Sequence, residues 1–82
     1  MNKHNDVFYK NTEKKMKVNY NKLWKMLIDQ KMNKTELRKK AGISTTTLAK
    51  MGKNELVSME IILRICNVLE CEIEDVIERE TP

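Results

Sequence analysis

Leu37-Arg38-Lys39-Lys40-Ala41-Gly42-Ile43-Ser44-Thr45-Thr46-Thr47-Leu48-Ala49-Lys50-Met51 is the stretch on which the fold turns. It reads as the end of one short helix, a corner, and a second short helix. Leu37 and Ala41 stand four apart, about one helical turn, and so share an inner face. Gly42 follows where a chain leaving a helix takes the left-handed conformation, which glycine adopts without strain. Ser44 is an N-cap residue, able to accept from the first-turn amides of a helix expected over 45–51. Leu48 and Met51 are expected to face inward on it, and Gly52 to stop it. Ile43 is apolar in an otherwise polar corner, as expected of a side chain that plugs the gap between two helices. The small Ala41 lets those helices approach closely.

The pattern extends outward on both sides. Upstream, Asn33-Lys34-Thr35-Glu36 reads as a capping box, with Asn33 accepting from the first turn and Glu36 reaching back to the Asn33 amide. It opens a helix over 34–41. Before it, Leu23, Trp24, Leu27 and Ile28 recur at helical spacing and predict a helix over 20–31, with Trp24 as a core anchor. Downstream, Ser58 caps a fourth helix whose inner stripe is expected to hold Met59, Ile62, Leu63, Cys66 and Leu69. A short last helix over 73–78 presents Ile73, Val76 and Ile77. Residues 1–17 are polar and lysine-rich around a lone Val7-Phe8-Tyr9 cluster, and are expected to form a flexible basic arm before a domain over 18–79.

Composition agrees with a helical domain. Proline occurs only at Pro82 and glycine only at Gly42 and Gly52, so little interrupts helices and few turn signals exist for a β fold. Aromatic residues make up 5%, leaving aliphatic and methionine side chains to build the core. With 82 residues the chain suffices for one domain. No apolar run is long enough to span a membrane and no signal-peptide core lies near the N-terminus, so a soluble, cytoplasmic protein is expected.

Charge is divided along the chain. Residues 1–57 hold 14 Lys/Arg against 5 Asp/Glu, whereas residues 58–82 hold 2 against 7. A basic half beside an acidic one is the balance expected when one face meets a polyanion. The same lysines would also serve simply to solvate a small domain.

Two short helices joined by a tight, glycine-containing turn form a helix-turn-helix unit, here spanning 33–51. The 37–51 segment resembles the signature of Cro/phage-repressor-type (XRE-type) regulators. The later run Met59-Glu-Ile-Ile-Leu-Arg-Ile-Cys-Asn-Val-Leu-Glu-Cys-Glu-Ile-Glu-Asp-Val is similar to that family's closing helices. Together the likeness covers about 18–78. It implies an all-α, lambda-repressor-like bundle of four to five helices with a central helix-turn-helix, whose third helix enters the major groove of duplex DNA.

The resemblance also implies a set of contacts. Thr45, Thr46, Ala49 and Lys50 would form the outward face of the third helix, with Thr45 and Thr46 at the end where such helices touch base edges. Threonine hydroxyls can bond bases or phosphates, and their methyls can pack on thymine. Lys50 suits either guanine O6/N7 or a phosphate. Ser44 stands at the helix start, and Thr47 is read as its local cap partner. Lys34 matches a position where the family often carries a glutamine that contacts the DNA backbone; lysine keeps the electrostatic contact and loses the paired amide bonds. Lys53 and Asn54, just past the helix, suit phosphates. Lys39 and Lys40 read as a solvated face.

Catalysis and metal chemistry find no support. A nucleophile needs a base held by a third group, and the single histidine, His4, lies in the arm. Cys66 and Cys71, five apart, fall on different faces of one helix or across a helix end, which suits neither a redox CxxC pair nor a zinc knuckle. They are expected to be buried free thiols. The acidic run from Glu70 to Glu78 lacks the glycine of a calcium loop. No cofactor or metal is expected, the partner is double-stranded DNA, and a homodimer is possible, through Ile73, Val76, Ile77 and Val7-Phe8-Tyr9. The alternative is a helical protein-interaction module, antitoxin- or adaptor-like, that keeps the fold without reading DNA.

Overall fold

Most helix ends have a local reason that the backbone makes visible. In the computed structural model, which describes residues 17–80, the order is β1 (Lys17–Asn19), α1 (Asn21–Asp29), α2 (Lys34–Ala41), α3 (Thr45–Gly52), α4 (Met59–Leu69), α5 (Ile73–Val76) and β2 (Glu78–Glu80). The expected Asn33 capping box forms: the Glu36 amide donates to Asn33 Oδ1 at 2.8 Å, and the Asn33 amide donates to Glu36 Oε1 at 2.9 Å. Gly42 takes the left-handed conformation (φ 68°), and the Ile43 amide returns to the Arg38 carbonyl at 2.9 Å. Ser44 and Ser58 cap α3 and α4, accepting from the amides of Thr47 and Ile61.

The core gathers Tyr20, Leu23, Leu27, Leu37, Ala41, Ile43, Met51, Ile62, Ile65, Leu69 and Val76. Helix α2 packs on α4, α4 and α1 both pack on α5, and α2 meets α3 across the Gly42 corner. Ile43 is buried, filling that corner as expected. The five helices match the expected bundle.

Several expectations are corrected. Leu63 and Met59 are 50% and 57% exposed rather than internal. Glu60, Arg64 and Asn67 form one polar face of α4, and Ile62, Ile65 and Leu69 lie opposite it in the core; Met59 and Leu63 fall on the flank between the two and stay exposed. Leu48 is half-buried, and Met51 alone anchors α3 fully. Ile28 is 74% exposed, because Leu23 and Leu27 take the inner face of α1 and Ile28 stands beside it on the solvent side. Trp24 is half-buried. Gly52 does not stop α3: it is the last helical residue, and the reversal falls on Asn54 (φ 61°), whose short polar side chain tolerates that conformation.

The chain also holds a two-stranded antiparallel ribbon that was not anticipated. Lys17 pairs with Glu80, Val18 with Arg79 and Asn19 with Glu78. The segment expected to stay helical through residue 78 turns extended at Ile77 (φ −127°, ψ 137°). Asn19 clasps the ribbon to α1: its Nδ2 donates to Glu80 Oε2 at 2.9 Å, and its Oδ1 accepts from the Asn21 amide at 3.0 Å. The Val7-Phe8-Tyr9 cluster and the rest of 1–16 lie outside the described residues. No helix among the described residues is long and apolar enough to cross a membrane.

Candidate nucleic-acid interface

Helix α3 is held at both ends. Ser44 Oγ accepts from the Thr47 amide at 3.1 Å and donates to Thr47 Oγ1 at 3.0 Å, so Thr47 is the cap partner that the sequence predicted. At the other end the Asn54 amide donates to the Met51 carbonyl at 3.0 Å and the Glu55 amide to the Lys50 carbonyl at 2.9 Å. The turn is then tied to the core. Tyr20, fully buried, donates its hydroxyl to the Glu55 carbonyl at 2.6 Å. Burial pushes the Tyr20 phenol above its ordinary 10.0, with the Val57 backbone partly opposing.

With Met51 turned into the core, the opposite arc of α3 faces solvent. Thr45, Thr46, Ala49 and Lys50 are all exposed. At about 100° per residue they fall within an arc of roughly 140°. Thr46 and Lys50, four apart, stand one above the other. Lys53 and Asn54 are exposed just beyond the helix, and Ser44 is exposed with its hydroxyl engaged in the cap. Lys34 is exposed at the first position of α2, its Nζ 4.0 Å from the centroid of the Trp24 ring.

The corner between α2 and α3 is braced by arginines that sequence reasoning passed over. Arg64 of α4 donates to the Gly42 carbonyl at 3.0 Å and pairs with Glu60 at 2.6 Å. Arg38 donates to the Ile43 carbonyl at 3.3 Å. These bonds occupy corner carbonyls that the turn leaves open, and thereby fix α3 against α2. The signal for Arg64 is faint: it is one of two basic residues on an acidic half. Among the described residues the Arg64–Glu60 pair is the one ion pair, and Lys34, Lys50 and Lys53 meet no acidic partner there. Described residues 17–57 carry 10 Lys/Arg against 3 Asp/Glu.

The two thiols meet across the end of α4, where the Cys71 amide donates to the Cys66 carbonyl at 3.1 Å. Both are free and half-buried, less enclosed than expected. Burial first, then the neighbouring Cys66, Asp75 and Glu72, pushes the Cys71 thiol from 9.0 up to about 11. Burial likewise raises Cys66. No group of three or more metal-ligating side chains gathers among the described residues.

A helix-turn-helix with a capped, outward-facing second helix and a basic surround defines a class of DNA-binding domains. The chain belongs to the Cro/C1-type HTH DNA-binding domains, whose family model matches residues 22–82. It is similar to YozG of Bacillus subtilis (strain 168), an uncharacterized HTH-type transcriptional regulator, at 36% identity over 55 residues. That match spans 65% of this chain and 66% of YozG, just under two thirds of the relative's length. It is also similar to the transcriptional regulator VanUg in its crystal form II, at 52% identity and a TM-score of 0.78, covering 82% of this chain and 89% of that one. The fold and these relatives support a DNA-binding regulator.

Proposed function

We propose that this chain is a transcriptional regulator that reads duplex DNA by sequence, with α3 lying in the major groove. The observation that carries the reading is the outward arc of α3: Thr45, Thr46, Ala49 and Lys50 are exposed together while Met51 seals the helix to the core. Thr45, Thr46 and Lys50 read base edges in this scheme, and Lys34, Lys53 and Asn54 hold the backbone on either side. Ser44 contributes through the cap that sets the first turn of α3, and Ala49 keeps the arc low enough for close approach.

A homodimer on a two-fold site belongs to the same reading, since one small module gains specificity by pairing half-sites about one DNA turn apart. Of the contacts expected from the last helix, Val76 is sealed in the core, so the outward Ile73 on α5 is joined by Met59 and Leu63 on α4. Sedimentation of the chain alone and with its selected site tests this; one chain per site refutes it.

The test of the whole reading is selection from a random duplex pool, followed by anisotropy titrations of the selected and an unrelated duplex across salt concentrations. Neutralising four to six phosphates gives a log–log slope of about −4 to −5. A slope near zero, or equal affinity for both duplexes, refutes sequence reading and favours the protein-interaction module.

A further inference from the structure

Lysine at the first position of a helix is an unusual choice, because the positive end of the helix dipole favours a carboxylate there. Lys34 occupies that position in α2, directly after the Asn33 cap. Its Nζ sits 4.0 Å from the centroid of the Trp24 ring, which belongs to α1. The ring is anchored from beneath: Trp24 packs against the core, and its plane is tilted 51° to that of the fully buried Tyr20, centroids 6.3 Å apart. Trp24, Leu27, Ile28, Met32, Asn33 and Lys34 together line a mainly apolar surface notch of about 340 Å³.

An aromatic face and a carboxylate hold an ammonium in different ways. A carboxylate fixes the cation and cancels its charge. The quadrupole of an indole ring attracts the cation while leaving the net charge at +1. The ring therefore restrains a long, rotamer-rich side chain without reducing its pull on an external anion.

We propose that Trp24 is a positioning residue for DNA: its indole face holds the Lys34 ammonium ready at the head of α2 to meet a backbone phosphate. This rests on the reading that the chain binds duplex DNA. It gives α1, which lies outside the helix-turn-helix, a part in the backbone clamp.

The full chain is tested in a double-mutant cycle of Trp24→Leu and Lys34→Met, by anisotropy on a random-sequence duplex at low salt. Lys34→Met lowers affinity and flattens the salt slope by about 0.9. Trp24→Leu lowers affinity about two- to fivefold in the parent background, the strength of an exposed cation–π contact, and leaves affinity unchanged once Lys34→Met is present. Trp24→Phe, which keeps an aromatic face and the packing, restores most of the loss. Trp24 is the sole tryptophan, so its emission shifts on DNA binding in the parent chain and not in Lys34→Met. Additive losses in the cycle, or a Trp24→Phe chain as weak as Trp24→Leu, overturn the role of Trp24 while leaving DNA binding intact. No duplex affinity in the parent chain overturns the DNA reading itself, and this proposal with it.

Discussion

Residues on α3 separate into the exposed Thr45, Thr46, Ala49 and Lys50, proposed to face DNA, and the buried Met51 that anchors the helix. Thr46→Ala and Lys50→Ala are expected to weaken the selected site by about 1–3 kcal/mol more than a random duplex, the usual worth of a good base contact. Lys53→Ala is expected to weaken both duplexes alike and to flatten the salt slope by about one unit. Paired titrations of each variant decide it, and identical behaviour of Lys50→Ala and Lys53→Ala refutes base reading by α3. Thermal melts of these exposed variants should stay within about 0.5 kcal/mol of the parent. Met51→Ala provides the contrast: it empties a fully buried site and should cost about 2–5 kcal/mol. Leu48→Ala, at a half-buried position, should cost clearly less. A larger loss at Leu48 than at Met51 contradicts the packing of α3.

Elements here are bounded by caps, and the caps were the most legible part of the sequence. Asn33, Gly42, Ser44 and Ser58 were each assigned correctly, because a cap depends on residues within four positions along the chain. Gly42→Ala tests the corner. A Cβ there meets Arg64 Nη1 at 3.5 Å, an ordinary contact, so the penalty comes from holding φ at 68° and should be about 1 kcal/mol. A chemical melt measures it; an unchanged midpoint refutes the strained corner. Of the ends that failed, that of α3 is set locally by the reversal at Asn54 rather than at Gly52, and that of α5 by a distant partner. Helix α5 stops at Val76 because the following residues pair with β1, about sixty positions away. On α4 the expected Ile62 and Leu69 are buried, whereas Met59 and Leu63, on the flank of the inner stripe, are exposed and Ile65 joins the core in their place.

At the scale of the whole molecule, three acidic groups prefer their neutral forms in the fold. Burial raises Tyr20, Cys66 and Cys71, the last from 9.0 to about 11. Between those two values the unfolded thiol has lost its proton and the folded one has kept it. The folded state then binds more protons, so stability falls as pH rises. The contribution of Cys71 is complete below pH 9.0 and is lost as the pH climbs through about 11. Urea melts at pH 8 to 11 under reducing conditions should show this decline, and Cys71→Ser should make it shallower. An equally steep decline in Cys71→Ser refutes the assignment.

What the sequence determined by itself was set by near neighbours: the caps at Asn33, Ser44 and Ser58, the left-handed corner at Gly42, the helical spacing of 33–51, and the outward arc of Thr45, Thr46, Ala49 and Lys50. Those features follow from hydrogen bonds and side-chain periodicity over one or two turns. The tertiary structure alone decided the β1–β2 ribbon, the exposure of Met59 and Leu63 on the flank of α4, and the bonds from Arg64 to Gly42 and from Tyr20 to Glu55. Lys34 over Trp24 belongs with these. Each of the longer-range bonds joins residues many positions apart, and their formation waits on loop closure and on burial of a shared core, for which no local pattern in the chain supplies a signal.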